Sequence, residues 1–430
     1  MPCFEVNSLG KITIFMRHSL FLAFLFICFS SFSQGLKSIE LGRWRGELAM
    51  NDRLFVPFFI DFSKENNKPK IEIVNANERI ALKEIKEKND TVYTQFPELD
   101  AVLVFKVQES GKEIRGYWLN RNKKVQVKIP FNAYLTNEKA NRIEFNKDES
   151  GLANKNLTGK WDVTFTPNSK DAEKAIGVFD VIDNKVTGTF LTETGDYRFL
   201  EGNMNGNEFA LSTFNGSWAF YFTGKIEGDK IEGKYYSGVS YSTDWAAVKN
   251  ENAKLREEQE LTFVKNNADF NFKGLKELNG KPFDYSPKMY ANKIVIFQIM
   301  GTWCPNCVDE IKFFKELYAL YNKQGLEIVA LAYEVGTDQK AQIKRLQAFK
   351  KRTGIPYKIV LAGTSNKDVA ASHFPMLNGI MSFPTTIFVD KQGKIQRVFT
   401  GFSGPATGNT YIQLKTDIQL EVEKLLDLGR

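Results

Sequence analysis

Residues 294–307 read IVIFQIMGTWCPNC, a nearly continuous apolar run that leads into two cysteines separated by two residues. An apolar run of this kind is typical of a strand that is buried on both faces. After the cysteines, apolar residues recur at helical spacing, at Ile311, Phe314, Leu317 and Leu320. The sequence therefore predicts that the cysteine pair lies where a central strand ends and a helix begins.

The chain from about residue 265 onward alternates strand and helix patterns. The predicted segments are strands over 326–333 and 357–362, a helix over 337–352 capped by Thr337, a hairpin of 385–389 and 394–399, and a last helix from Asn409. Such alternation is typical of a mixed sheet covered on both faces. We expect an α/β domain over residues 265–430.

The N-terminus has the features of a secretory signal. A charged Met16-Arg17-His18 precedes the apolar stretch 20–29, which is followed by small residues up to Ser33. We expect export, with residues 1–33 as a leader cut before Gln34 and the mature protein in the periplasm. A lipoprotein anchor at Cys28 and a retained, uncleaved leader are the alternatives.

Removal of the leader takes away two of the four cysteines and leaves Cys304 and Cys307. A scaffold stapled by disulfides would need more cysteines at wider spacing. Three structural explanations remain open beside a reactive dithiol: an inert disulfide, half of a zinc site, and a degenerate pair that only binds.

Composition excludes several classes of function. The net charge of +7 is spread along the whole chain, whereas nucleic-acid binding requires a concentrated basic patch. After removal of the leader, two cysteines and one histidine, His373, remain, too few for a conventional tetrahedral zinc site. We therefore expect no nucleic-acid partner and no metal, and we expect His373 to lie on a helix surface.

The front half is strand-like and contains an internal repeat. A shift of 117 positions superposes glycines, tryptophans and an apolar core position of the two parts, among them Gly42 on Gly159, Trp44 on Trp161, Phe105 on Phe222, Gly111 on Gly228 and Gly116 on Gly233. We infer an all-β half of two tandem antiparallel β modules. The modules cover 34–135 and 157–250, and the linkers cover 136–156 and 251–264.

Each module opens with Gly-x-Trp, which weakly resembles lipocalin-like barrels. The pattern favours a meander, a sandwich or a small barrel. Four aromatic residues near the end of the second module, Tyr235, Tyr236, Tyr241 and Trp245, are expected to form an ordinary half-exposed β surface. No catalytic motif stands out in this half, and we assign it no chemistry.

The back half resembles a known family. The residues that carry the resemblance are Ala268-Asp269-Phe270, Asn279-Gly280-Lys281-Pro282, Trp303-Cys304-Pro305-Asn306-Cys307 and Phe383-Pro384-Thr385. Together and in this order they look like the TlpA/ResA-like thiol–disulfide oxidoreductases of the thioredoxin superfamily. The resemblance covers about 265–430 and implies a thioredoxin fold, a redox disulfide Cys304–Cys307, and no bound cofactor.

The position of the dithiol supports this reading on physical grounds. A thiolate is the species that attacks a disulfide, and the unpaired N–H groups at a helix N-terminus favour negative charge. Cys304 is therefore the expected nucleophile, and Cys307, one turn further on, is expected to resolve the mixed disulfide. Pro305 fits the first helical position. Trp303 and Pro305 are expected to contact the substrate, and Trp303 is also expected to shield the dithiol.

The resemblance implies further site residues. Pro384 is expected to be a cis proline facing the dithiol, with the backbone of Phe383 or Thr385 free to pair with a substrate. Glu310 is expected near the dithiol, where it either accepts a proton from Cys307 or merely complements the helix dipole. Gln298 stands where thioredoxins keep a buried aspartate, which weakens that version of proton transfer.

We therefore predict an exported oxidoreductase that exchanges or reduces the disulfides of client proteins. The uncharged Asn306 and the acidic pair Asp309 and Glu310 favour a reductant or general exchanger over a strong oxidase. A reductant needs an electron donor, which the resemblance assigns to a membrane thiol reductase. The alternatives are a thiol peroxidase and a non-enzymatic cell-surface binding protein with a vestigial redox domain.

Overall fold

A computed structural model describes residues 35–122, 126–145, 151–265 and 270–427. These described residues belong to one compact unit. The predicted leader over 1–33, with Cys28, lies outside the described residues, as do Ala268 and Asp269. Within the described ranges, no helix combines the length and the apolar character that a membrane crossing requires.

Nine strands form the first antiparallel sheet. They are β1 (Gly42–Ala49), β2 (Phe55–Glu65), β3 (Lys68–Asn75), β4 (Glu78–Ala81), β5 (Lys83–Lys88), β6 (Thr91–Gln95), β7 (Ala101–Val107), β8 (Glu113–Asn120) and β9 (Lys128–Leu135). They pair in the order β4-β3-β2-β1-β9-β8-β7-β6-β5. Because only Leu82 separates the edge strands β4 and β5 in sequence, the sheet is barrel-like, and we call it the first barrel.

Nine more strands form the second antiparallel sheet. They are β10 (Gly159–Phe165), β11 (Glu173–Ile182), β12 (Lys185–Thr192), β13 (Gly195–Asp196), β14 (Leu200–Asn205), β15 (Glu208–Phe214), β16 (Ala219–Glu227), β17 (Lys230–Ser237) and β18 (Tyr241–Lys249). Strand β11 pairs with both β10 and β12, so eight of the strands close a ring, and the short β13 pairs with β12. We call this sheet the second barrel.

The interior of the second barrel corrects one expectation. Tyr235 is 7% and Trp245 1% exposed, and both pack in the aromatic core with Phe222. The prediction of a half-exposed surface is therefore wrong for these two residues, because their positions on β17 and β18 face inward. Tyr236 is half-buried and Tyr241 is exposed, as that prediction requires.

The C-terminal part is an α/β domain. Its strands are β19 (Phe272–Glu277), β20 (Pro282–Tyr285), β21 (Ile294–Met300), β22 (Leu326–Glu334), β23 (Lys358–Thr364), β24 (Thr385–Val389) and β25 (Ile395–Thr400). Its helices are α1 (Pro305–Tyr321), α2 (Gln339–Thr353), α3 (Lys367–Ser372) and α4 (Asn409–Leu425). The sheet order is β20-β19-β23-β22-β21-β24-β25, with β21, β22 and β23 parallel and β24 antiparallel to β21.

Strand β21 is the centre of this domain. All seven of its residues are buried. Its alternate side chains enter different apolar clusters: Ile296 packs with residues of α1 and α4, and Phe297 packs with the hairpin of β19 and β20. The expected thioredoxin fold is confirmed. At α2 the N-cap is Asp338 instead of the predicted Thr337, because its carboxylate accepts hydrogen bonds from two backbone N–H groups.

One residue of the segment expected to link the barrels, Arg142, is packed between them. Arg142 is 1% exposed. Its guanidinium donates to the Val74 carbonyl (2.8 Å) and Asn75 Oδ1 (2.9 Å) of the first barrel, and to Ser212 Oγ (2.7 Å) of the second. Glu201 lies 3.7 Å away. This single side chain therefore satisfies buried acceptors in both barrels and joins them.

Replacement of Arg142 by alanine should destabilise the junction between the barrels. The change leaves buried acceptors without a donor and removes one counter-charge of Glu201, so we expect a loss of about 3–5 kcal/mol in the free energy of unfolding. Chemical denaturation measures it. Arg115→Ala, which removes an exposed arginine that pairs with Glu113, is the matched control and should change little. Equal effects of the two variants would contradict a joining role for Arg142.

Candidate active site

The two cysteines lie at the start of α1, directly behind the central strand. Cys304 is the N-cap residue and Pro305 the first helical residue. Cys304 and Cys307 form a disulfide, and the Cys307 backbone N–H donates to Cys304 Sγ over 3.2 Å. Because the first turn of a helix has N–H groups without partners, this position stabilises negative charge on the Cys304 sulfur.

The loop before β24 completes the environment of Cys304. The Phe383–Pro384 peptide bond is cis, the isomer that the resemblance implies. The Phe383 carbonyl oxygen lies 3.3 Å from Cys304 Sγ. Thr385, in contrast, is fully buried and in register with Ile299 and Thr400 in the sheet. Its backbone is therefore not free for a substrate, and of the two candidates only Phe383 lies beside Cys304.

A buried carboxyl group lies on α1, three residues after Cys307. Glu310 is fully buried, and it accepts hydrogen bonds from Gln298 Nε2 and Thr386 Oγ1, each over 2.7 Å. The same Gln298 amide lies 3.5 Å from the Cys307 carbonyl oxygen. Burial raises the pKa of Glu310 to about 8, against the opposing effect of the two hydrogen bonds. The glutamate is thus mostly protonated at neutral pH.

Aromatic side chains line the other side of the dithiol. Trp303 donates its indole N–H to the Tyr333 carbonyl over 2.9 Å, and its ring meets the Phe383 ring edge-on at 5.4 Å. His373 was expected on a helix surface, but it is half-buried, with its Nδ1 2.9 Å from the Tyr333 hydroxyl. Burial lowers the pKa of His373. The histidine therefore contacts Tyr333, and the Tyr333 ring in turn lies 5.7 Å from the Phe383 ring.

The second barrel contacts the start of α1 directly, which the sequence did not predict. Arg198 forms ion pairs with Asp309 of α1 and with Glu78 of the first barrel. The negative charge of Asp309 is thus compensated. Because burial also raises the pKa of Glu310 to about 8, this acidic pair carries less negative charge near the dithiol at neutral pH than two ionised carboxylates would.

Asp196 forms a second contact between the second barrel and the site. Its carbonyl accepts from Asn306 Nδ2 over 3.3 Å, and its carboxylate accepts from the Gly404 backbone N–H over 2.6 Å. Burial, with a contribution from Asp309, raises the pKa of Asp196 to about 7. The neighbouring Gly195 must be glycine, because a Cβ there would lie 2.0 Å from Asn306 Nδ2.

Between the second barrel and the dithiol lies a cleft of about 400 Å³. Its lining from the C-terminal domain includes Trp303, Cys304 and Phe383, and its lining from the second barrel combines four aromatic residues with polar ones. Cys307, Pro305 and Thr385 do not line it. Pro305, expected at the substrate, lines a different cavity next to Glu78 of the first barrel. Cys304 is thus the cysteine that a ligand in this cleft would meet.

Within the described residues, no three His, Cys, Asp or Glu side chains are grouped as ligands of a metal ion. The disulfide occupies both thiol groups. The fold and the site together define a class, a thioredoxin-fold protein with a dithiol at the start of its first helix.

Comparison with known proteins agrees with this class and makes it more specific. The Redoxin family matches residues 263–412. The thiol-disulfide oxidoreductase ResA of Halalkalibacterium halodurans is 30% identical over 144 residues, which are 34% of this chain and 68% of that protein. The chain belongs to the ResA-like family of thiol-disulfide oxidoreductases.

Two further similar proteins match only a part of this chain. ResA of Geobacillus thermodenitrificans is 35% identical over 112 residues, 26% of this chain and 57% of that protein. The chain thus spans little more than half the length of that relative. A thiol:disulfide interchange protein of Chlorobium tepidum, known from its crystal structure, is 23% identical with a TM-score of 0.28, over 37% of this chain and 94% of that one.

The raised pKa of Glu310 predicts a pH dependence of stability. The folded protein retains this proton up to about pH 8, whereas the unfolded chain releases it near pH 4.5, so unfolding releases a proton between these values. The stability of the wild-type protein should therefore fall as pH rises from about 5 to 8. Glu310→Gln lacks this proton and should gain on the order of a few kcal/mol relative to wild type across that window.

Denaturation of the oxidised protein at a series of pH values measures this difference. Glu316→Gln is the matched control, because Glu316 lies on the same helix with an exposed side chain. If the free energies of unfolding of wild type and Glu310→Gln ran parallel from pH 5 to 8, Glu310 would be ionised in the folded protein, which would contradict the prediction.

Proposed function

We propose that this protein is an exported thiol–disulfide oxidoreductase that reduces or exchanges the disulfides of client proteins. The observation that carries the proposal is the Cys304–Cys307 disulfide at the start of α1, with Cys304 alone of the two lining the cleft. Membership of the ResA-like family supports the same activity. The buried position of Cys307 suits the role of a resolving cysteine.

The proposed cycle transfers two electrons. In the reduced protein the Cys304 thiolate attacks one sulfur of a client disulfide, and the other client sulfur leaves as a thiolate. Cys307 then loses its proton and attacks Cys304 Sγ. This step forms the Cys304–Cys307 disulfide and releases the second client sulfur as a thiolate. The client is reduced and the protein is oxidised.

The ionised form of Glu310, the minor form at neutral pH, is the proposed acceptor of the Cys307 proton. Its pKa of about 8 is close to the ordinary value of a cysteine thiol, about 8.5. Proton exchange between groups of similar pKa is nearly balanced in free energy, which suits a reversible redox step. Gln298, within hydrogen-bonding distance of both the Cys307 carbonyl and Glu310, positions the carboxyl group.

Each reduction of a client leaves the protein oxidised, so a reductant must reduce the Cys304–Cys307 disulfide again. No bound cofactor is needed, because an external dithiol can reverse the same exchange. We propose a membrane thiol reductase as the electron donor, on the strength of the family resemblance. The signal-like sequence over 16–33 supports export to the periplasm. An anchor at Cys28 or a retained leader would keep the same domain at the membrane surface.

We also propose that the two barrels are tandem copies of one module, within the boundaries 34–135 and 157–250. Their tryptophans support this origin. The Trp44 indole donates to the Glu40 carbonyl, and the Trp161 indole donates to the Leu157 carbonyl. Both pairs keep the constant offset of 117 positions. In this proposal the barrels have no chemistry of their own and orient the client.

Cysteine variants test the proposed activity. With dithiothreitol as the reductant, we expect the rate of insulin reduction to be roughly three orders of magnitude lower for Cys304→Ser than for the wild-type protein. Cys307→Ser should instead accumulate a mixed disulfide with a client, visible on a non-reducing gel, because the resolving sulfur is absent. Cys304→Ser is the matched control for trapping and should form no adduct.

Three other outcomes would contradict the proposal. Hydrogen peroxide turnover that survives in Cys307→Ser would identify a thiol peroxidase. Insulin reduction that is unaffected by Cys304→Ser would place the reactive sulfur elsewhere. No activity in the wild-type protein would favour a binding protein with a vestigial redox domain.

A further inference from the structure

The second barrel contributes four aromatic residues to the lining of the cleft. They are Tyr197, Trp218, Phe220 and Tyr235. The Trp218 and Phe220 rings are stacked at 5.1 Å, and the Phe220 and Tyr235 rings meet edge-on at 5.5 Å. We call these four residues the aromatic wall. Phe220 and Tyr235 are buried in the barrel, whereas Trp218 is half-exposed.

The depth of Cys304 limits what can reach it. Cys304 is 2% exposed, so its sulfur is recessed beneath the cleft. A disulfide held rigidly on the convex surface of a folded protein does not fit such a recess. A volume of about 400 Å³ is within the usual range for sites that enclose a small ligand or a few residues. The cleft therefore suits a short extended segment.

The charges around the cleft further limit the class of ligand that it can bind. The ionisable side chains among its lining, apart from the tyrosines and Cys304, are Glu173, Asp196 and Lys367. Asp196 already accepts hydrogen bonds from the backbone N–H groups of Arg198 and Gly404. One exposed lysine opposite a glutamate gives no cationic cluster, so a multiply anionic small disulfide would gain little here.

A polar group next to Cys304 lacks a partner. Asn306 is 6% exposed and lines the cleft, and its Oδ1 accepts no hydrogen bond. A buried acceptor without a donor is unfavourable. Because Oδ1 is itself shielded from solvent, an N–H group of a bound peptide would supply this donor only after the Asn306 side chain turns toward the cleft.

We propose that the aromatic wall is a specificity subsite for an extended peptide, and that it binds a large apolar or aromatic side chain adjacent to the cysteine that Cys304 attacks. This inference rests on the proposed function and adds the class of substrate. The redox step is the one given above: the Cys304 thiolate displaces one peptide sulfur, and Cys307 displaces the other. The second barrel thereby selects clients by the residue next to their cysteine.

The test compares two symmetric peptide disulfides that differ in one residue. The monomers are acetyl-Gly-Phe-Cys-Gly-amide and acetyl-Gly-Ser-Cys-Gly-amide, and glutathione disulfide serves as the anionic small disulfide. The second-order rate constant for oxidation of the reduced full chain is measured by acid quenching and chromatography of the released thiols. We expect the Phe peptide to react about tenfold faster than the Ser peptide, after correction for their rates with free dithiothreitol.

The Trp218→Ala variant should lower this preference to about one- to twofold, because the half-exposed ring of the wall is removed. Trp218→Phe should retain most of it. The matched control is Tyr236→Ala, since Tyr236 is half-buried in the same barrel but does not line the cleft. That variant should keep the preference of the wild-type protein.

The outcomes separate the subsite from the redox activity. Equal rates for the Phe and Ser peptides in the wild-type protein would overturn the subsite while leaving the oxidoreductase intact. The subsite would also be overturned if the preference persisted in Trp218→Ala, or if glutathione disulfide reacted as fast as the Phe peptide. Failure to oxidise the reduced protein with any of the three disulfides would instead contradict the proposed function itself.

Discussion

The hydrogen bond from the Cys307 backbone N–H to Cys304 Sγ is the interaction on which the rest of the site depends. It forms because β21, which is buried on both faces, leads into α1. The strand thereby fixes the first turn of that helix at its own C-terminal end. The helix N-terminus stabilises a thiolate there. The cis Phe383–Pro384 peptide and the buried Glu310 complete the surroundings of the sulfur pair.

The second barrel changes what this dithiol can meet. In a thioredoxin-fold domain alone, the start of the first helix would lie at the protein surface. Here the segment around Gly195–Asp196 packs against Asn306, and Arg198 pairs with Asp309. Cys304 is therefore recessed in a cleft lined by two parts of the chain. The ion pairs of Arg198 with Asp309 and Glu78 also connect the helix to both barrels.

The sequence predicted the elements whose signals are local. Strand β21, helix α1 and the hairpin of β24 and β25 have apolar runs, helical spacing or turn residues that decide their structure. The contacts of Asp196 and Arg198 had no such signal, because they join residues more than one hundred positions apart and an isolated Asp or Arg on a strand resembles ordinary surface. The burial of Tyr235 and Trp245 was missed for a related reason, since the closure of the barrel decides which face of β17 and β18 points inward.

The pH dependence of alkylation in the reduced protein tests the central claim most directly. Iodoacetamide is small enough to enter the cleft, and mass spectrometry identifies which cysteine has reacted. The account predicts that Cys304 reacts first, with a rate midpoint below about pH 8.5, the ordinary value for a cysteine thiol, and that Cys307 stays protected until the protein unfolds. Equal reactivity of the two cysteines, or a Cys304 midpoint at or above that value, would contradict it.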